Sequence, residues 1–363
     1  MNKNKVVVAM SGGVDSSVCA YLLKKRGYEV IGMTMQIWQD APEETKLREG
    51  GCCSIGAVYD ARRVADKIDI PYYVINLKDC FDEKVIKYFI REYLSGRTPN
   101  PCIACNRHLK FEALLKKALE IDAYFLATGH YAKVGYDAST GRYFLKKSVD
   151  RAKDQSYALY NLTQFQLEHL LLPLGEFTKR EIRRIAEEAG LAVAKKPDSQ
   201  EICFIDTNYH DFLRERVPEK IKPGPFIDKK GKVIGEHKGI PFYTIGQRRG
   251  LGISAGKPLY VIKIDAERNT VMLGDEEDLY VKEFIAHQLN WVAIDGLAGK
   301  MKVSAKIRYN FQEKPAEIYP VGDLVKVVFE EPQKAVTPGQ SVVFYSGDLV
   351  VGGGIIKERS DLD

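Results

Sequence analysis

At 363 residues, 45% hydrophobic and 28% charged, the chain exceeds one typical core, so two or three domains of a soluble globular protein are expected. The start Met1-Asn2-Lys3-Asn4-Lys5 leads into a short strand with no apolar segment before a small-residue cleavage site, and no later apolar run reaches membrane length. Export and membrane insertion are therefore not expected, and residence is predicted to be cytoplasmic. Seven cysteines favour thiols, metal ligation or catalysis over a structural disulfide framework, and a net charge of +5 is compatible with an RNA partner without requiring one.

In chain order, the apolar run Val6-Val7-Val8-Ala9-Met10 predicts a strand, Ser11-Gly12-Gly13-Val14-Asp15-Ser16-Ser17 a glycine-rich turn, and Asp15 to Arg26 a helix stopped by Gly27. A strand, such a turn and a helix N-terminus make an anion cradle, because glycines admit a phosphate closely and free amides face it. The loop lacks the Gly-Lys-Ser/Thr ending of a Walker A motif, which argues against ordinary γ-phosphoryl transfer. Ser-Gly-Gly-Val-Asp-Ser instead resembles the pyrophosphate loop of enzymes that cut ATP between its α and β phosphates.

Further strands are expected at Val30 to Met35, Tyr72 to Leu77 and Ala123 to Thr128, alternating with helices at Ala57 to Ile68 and Leu109 to Glu120. Another helix opens with the capping box Thr178-Lys179-Arg180-Glu181 and closes at Gly190. Alternation of this kind predicts an α/β fold with a parallel, Rossmann-like sheet over 1–206, in which Ser11 to Ser16, Met35 and Gly129-His130 converge beyond the carboxyl ends of the strands. After a helical segment at Tyr209 to Val217 the pattern turns to short strands, including Pro258 to Ile264, Thr270 to Leu273, Met301 to Tyr309, Leu324 to Phe329 and Ser341 to Tyr345. That pattern suggests a small β-rich domain at 207–280 and a C-terminal β-barrel at 281–363.

Cys102-Ile103-Ala104-Cys105 lies in a stretch that reads as a proline-stiffened loop before a helix, where basic neighbours favour the thiolate; Cys203 follows much later. The CxxC could be half of a zinc site or a redox dithiol, although no second CxxC or paired histidine stands at zinc-like spacing. Cys19 and Cys80 read as small buried hydrophobes, and Cys52-Cys53 as residues that line the start of a helix or join a site. Basic clusters occur at Lys146-Lys147 with Arg151 and Lys153, and at Arg248-Arg249 with Lys257.

Six segments together (Met10 to Ser17, Gly96 to Pro101, Ala127 to Tyr131, Lys153 to Tyr157, Ser199 to Phe204 and Thr244 to Gly250) resemble the bacterial tRNA-specific 2-thiouridylases. The resemblance implies that ATP, with Mg2+, adenylates the C2 oxygen of the wobble uridine in tRNA for Lys, Glu or Gln, and that persulfide sulfur then displaces AMP. It implies ATP binding by Ala9, Met10, Ser11, Gly12, Gly13, Val14, Asp15, Ser16, Met35 and Gly129, a persulfide on Cys203, and on Cys105 a partner thiol that attacks the persulfide to release sulfide or resolves a disulfide with Cys203. Asn100, Pro101 and Cys102 would meet the flipped base, while His130, Lys153, Asp154, Gln155, Arg308, Tyr309 and Gln340 would contact tRNA. A cysteine desulfurase or sulfur relay protein would supply the sulfur. Many members carry aspartate where this chain has Cys102, and a branch with CxxC plus a distant cysteine holds an iron-sulfur cluster; Cys102, Cys105 and Cys203 would then be its ligands. Two other functions are weighed: an amine-adding ligase with the same loop, which needs no paired cysteines, and an RNA-binding protein that only senses ATP.

Overall fold

The computed structural model describes residues 1–37, 55–198, 202–205, 208–254 and 256–359; Cys52, Cys53 and Ser199 to Glu201 lie outside these described residues. The chain forms two compact units, one made of Met1–Val85, Cys102–Phe204 and Asp348–Val350, the other of Ile86–Pro101, Ile205–Gly347 and Val351–Asp363.

The first unit is built on β1 (Asn2–Ala9), α1 (Val14–Lys25), β2 (Glu29–Gln36), α2 (Ile55–Lys67), β3 (Tyr72–Asn76) and α3 (Lys78–Phe81). Val6, Val7 and Val8 are fully buried on both faces of β1, as a parallel strand covered by helices requires. The sheet order is β3-β2-β1-β4-β7, with β4 at Ala123–Ala127 and β7 at Leu170–Leu171, and every pairing is parallel. Val6 stands opposite Val30 and Phe125, and Val8 opposite Gly32 and Ala127, so the apolar runs read from the sequence align in register. The predicted capping box holds α8 (Lys179–Glu188): the Thr178 amide donates to Glu181 Oε2 at 2.7 Å, and the Glu181 amide to Thr178 Oγ1 at 3.3 Å.

Two features differ from expectation. The CxxC is helical and not a loop: α5 (Pro101–Cys105) runs into a π-helical stretch at Asn106–Leu114 and then α6 (Leu115–Glu120). Proline fits a first helical turn, whose amides have no helical acceptor, and the helix is pinned by buried Ile103, Leu109, Phe111 and Leu114. A hairpin of β5 (Ala132–Asp137) and β6 (Arg142–Lys147) follows β4, paired from Ala132 opposite Lys147 to Asp137 opposite Arg142, and α7 (Gln164–Glu168) comes after it.

In the second unit, α4 (Lys87–Leu94) packs on α9 (Tyr209–Arg216) through Tyr93 stacked on Tyr209, ring centroids 4.7 Å apart, and Phe89 edge-on to Phe212. A four-stranded sheet has the order β10-β11-β8-β9, from β8 (Gly224–Ile227), β9 (Val233–His237), β10 (Tyr260–Asp265) and β11 (Thr270–Gly274). A six-stranded barrel follows, from β12 (Tyr280–Trp291), β13 (Met301–Lys306), β14 (Lys314–Val321), β15 (Leu324–Lys334), β16 (Ser341–Ser346) and β17 (Leu349–Arg359). Pairing of β12 with β17 closes it and leaves no open edge, around a core that includes Phe284, Ile318, Val327, Phe329, Phe344 and Ile356. No helix among the described residues is long and apolar enough to cross a membrane.

Candidate active site

The turn between β1 and α1 is Met10 to Gly13. Gly12 sits at φ +66°, and a Cβ there would lie 2.2 Å from the Ala57 carbonyl oxygen, so both backbone conformation and space demand glycine. Gly13 caps α1 without a side-chain hydrogen bond, which leaves the leading amides of the helix available to an anion. Ser17 Oγ donates to the Gly13 carbonyl at 2.8 Å, and Ser16 Oγ accepts from the Ser11 amide at 3.1 Å, so these hydroxyls set the loop's shape. Two further bonds tie the loop to β2: the Met10 amide donates to the Met33 carbonyl at 2.8 Å, and Thr34 Oγ1 donates to the Met10 carbonyl at 2.6 Å.

Gly129, just past β4, abuts the first turn of α1, where a Cβ would stand 2.7 Å from the Ser16 nitrogen. Met35 is buried at the carboxyl end of β2. The cradle, Met35 and Gly129 thus share the carboxyl edge of the sheet, as expected for a ligand site in such folds.

A charged network borders the cradle. Lys179 Nζ bonds both Asp15 oxygens, at 2.8 and 2.7 Å, and reaches Asp198 Oδ1 at 2.8 Å; Lys153 and Arg183 also hold Asp198, at 2.9 and 3.0 Å. Tyr131 Oη donates to Asp15 Oδ1 at 2.7 Å, and Lys196 Nζ bonds the Gly12 carbonyl at 3.1 Å and Asp60 at 2.6 Å. Ammonium groups therefore stand beside the loop although it carries no lysine of its own.

The thiols lie in the same unit. Phe204, next to Cys203, meets Phe81 edge-on at 5.6 Å, and α3, which ends at Phe81, packs against the Asn106–Leu114 stretch that follows Cys105. Both cysteine segments thereby border one short helix. Cys19 is fully buried, and burial pushes its thiol up. Cys80 departs from the buried reading: it is half-exposed, since α3 is only one turn long and covers little. Its thiol is raised by burial and then by Glu112. Among the described residues no three of His, Cys, Asp and Glu stand together as a metal-binding group.

Residues 4–207 match the family model described as tRNA methyl transferase HUP domain, residues 210–275 its PRC-barrel domain, and residues 281–356 an aminomethyltransferase beta-barrel domain. The tRNA-specific 2-thiouridylase MnmA of Acetivibrio thermocellus is 62% identical over 359 residues, covering 98% of this chain and all of that protein. MnmA 2 of Caldanaerobacter subterraneus is 63% identical over 98% of each chain, and MnmA of Clostridioides difficile 59% over 99% of each. The chain belongs to the tRNA-specific 2-thiouridylase family.

The residues that the family pattern assigns to tRNA sit in varied settings. His130 is only 9% exposed, with Nδ1 bonded to Thr128 Oγ1 at 2.7 Å and Nε2 facing Lys110 Nζ at 3.5 Å. Asp154 accepts from the Ser148 amide and Ser156 Oγ, while Gln155 exchanges bonds with the Tyr131 backbone. Arg308 donates to the Ala335 carbonyl at 2.7 Å and to Thr337 Oγ1, and Gln340 Nε2 donates to the Thr98 carbonyl at 2.9 Å, which steadies the chain just before Asn100 and Pro101. Tyr309 is exposed, with Lys306 over its ring. Sequence reasoning gave no role to Lys179, Lys196, Asp60 or Tyr131. One signal was available: Lys179 is the first residue of a capped helix, where a cation opposes the helix dipole and needs a separate reason to be there.

Acid should weaken this unit in two windows. Burial, reinforced by Lys110, holds the His130 imidazole well below its ordinary 6.5, so the unfolded chain takes up a proton first and stability falls as pH drops through 6.5. Burial alone would raise Asp198, but hydrogen bonds from Lys179 and Lys153 prevail and hold it below 3.8; its contribution is present above that value and is lost at lower pH. Urea unfolding at pH 7.5, 6.0 and 5.0 should show a slope that His130→Asn reduces by up to about 1.4 kcal/mol per pH unit, one proton's linkage. An unchanged slope would show that His130 titrates normally.

Proposed function

We infer that the protein is a tRNA 2-thiouridylase, a sulfurtransferase that consumes ATP. The observation that carries this reading is the end-to-end likeness, 62 to 63% identity over 98% of the chain, to proteins named for that activity. The cradle at Ala9 to Ser16, with Met35 and Gly129, binds ATP as its Mg2+ complex. The uridine C2 oxygen attacks the α-phosphorus and pyrophosphate leaves, which turns a poor oxygen leaving group into AMP. The terminal sulfur of a persulfide on Cys203 then bonds C2 and AMP departs. Cys105 thiolate attacks Cys203 Sγ, the S–S bond to the transferred sulfur breaks, and a Cys105–Cys203 disulfide forms that an external thiol must reduce.

Asn100, Pro101 and Cys102 meet the everted base, and His130, Lys153, Asp154, Gln155, Arg308, Tyr309 and Gln340 support or touch the tRNA for Lys, Glu or Gln. The sulfur comes from a cysteine desulfurase or a relay protein, and the setting is cytoplasmic. Lys179 holds Asp15, and the network around it supports an anionic ligand.

Nucleoside mass spectrometry of tRNA from cells lacking the protein should show loss of wobble 2-thiouridine, and purified protein should release pyrophosphate only with tRNA. Retained 2-thiouridine would overturn the reading, while pyrophosphate release without tRNA would favour the amine ligase. The iron-sulfur alternative through Cys102, Cys105 and Cys203 predicts iron and sulfide in protein purified without oxygen; full activity in colourless, iron-free protein would eliminate it.

A further inference from the structure

The hairpin of β5 and β6 carries a charge arrangement that packing does not explain. Lys133 and Lys146 stand directly opposite each other across the ladder, where like charges destabilise a strand pair. Beside them, Leu349 pairs with Lys146 and the Lys147 amide donates to the Asp348 carbonyl, which brings Asp348 among Arg151, Lys147 and Lys133. Arg151 bonds it at 2.6 Å, and Lys133 turns to Glu176 at 2.8 Å. Arg151, Lys147 and Lys133 thus gather around Asp348, and Lys133 also reaches Glu176.

Phe144 fixes one of the cations. Its ring lies over Gly135, where a Cβ would come within 2.6 Å of Cζ, and Lys146 Nζ is 4.4 Å from the ring centroid. Tyr136, 56% exposed, sits with Tyr143 farther along the ribbon.

We propose that the hairpin, with Lys133, Lys146 and Lys147, and the adjoining Arg151 form a cradle for the phosphodiester backbone of the RNA substrate. The opposed lysines are then a charge pair that a polyanion relieves, and the aromatic floor holds one ammonium in place for it. This rests on the tRNA reading above. The cradle supplies affinity and no chemistry.

The test compares the full-length protein with the double variant Lys146→Gln, Lys147→Gln, measuring binding of unmodified tRNA between 50 and 200 mM salt. Two lost phosphate contacts should flatten the slope of log K against log salt by about 1.4 to 1.8. The variant should need more tRNA to reach half-maximal rate, with kcat at saturating tRNA unchanged. A control, Lys116→Gln with Lys117→Gln on α6, removes the same charge elsewhere and should leave the slope intact. An unaltered slope in the hairpin variant, an equal flattening in the control, or a lower kcat with the tRNA requirement unchanged would each overturn the proposal. Wild-type protein that binds tRNA but forms no 2-thiouridine would refute the function reading while leaving the slope comparison valid.

Discussion

Cys105→Ser and Cys203→Ser should each lower 2-thiouridine formation by on the order of 10³-fold or more, the scale of losing a nucleophile, while tRNA-dependent pyrophosphate release persists. Serine replaces sulfur with a smaller oxygen that can neither carry sulfane sulfur nor form the resolving disulfide. Neither thiol lies in the Met10–Gly13 turn, whose shape depends on Gly12, Ser16 and Ser17. Phe204 against Phe81 and the buried run Leu109, Phe111 and Leu114 secure the two cysteine segments. Adenylation and sulfur transfer should therefore separate. Nucleoside mass spectrometry and a pyrophosphate assay on the same sample read the two steps, and normal thiolation in either variant would remove that cysteine from the mechanism.

The parallel sheet was legible because its signals are local. Val6 to Ala9 form one apolar run, Gly12 needs a left-handed turn, and Thr178 with Glu181 makes a capping box; the elements fall within a few residues of expectation. The start of the CxxC helix was not legible, since Pro99-Asn100-Pro101 carries the composition of a turn and only burial of the following helix shows Pro101 as its first residue. The hairpin was hidden for the opposite reason: Lys133, Gly135, Lys146 and Lys147 are poor strand residues, held by pairing across the ladder. Partners far apart in sequence were beyond local pattern altogether. Lys179 meets Asp15 across 164 positions and Gln340 meets Thr98 across 242, so the polar contacts beside the cradle and before Asn100 emerge only from the fold.

Gly12→Ala should cost more than Gly13→Ala, although the two glycines are neighbours in one motif. At Gly12 a methyl group meets the Ala57 carbonyl oxygen at 2.2 Å, and φ of +66° strains any L side chain. A backbone oxygen inside a packed helix has no rotamer to yield, so the turn or α2 must shift. Overpacking of this kind costs about 1 to 3 kcal/mol, and the strain adds to it. At Gly13, φ is −98° and the nearest atom to an added Cβ is Ser11 Oγ at 3.5 Å, an ordinary contact. Gly13→Ala should therefore unfold within about 0.5 to 1 kcal/mol of wild type, while Gly12→Ala melts measurably earlier and loses pyrophosphate release. Differential scanning calorimetry beside the pyrophosphate assay separates shape from ligand contact. If Gly13→Ala melts like wild type yet releases no pyrophosphate, the methyl group has displaced the phosphate itself, which fixes Gly13 as the point of closest approach. If Gly12→Ala melts and reacts like wild type, the turn tolerates a side chain and the account of the cradle fails.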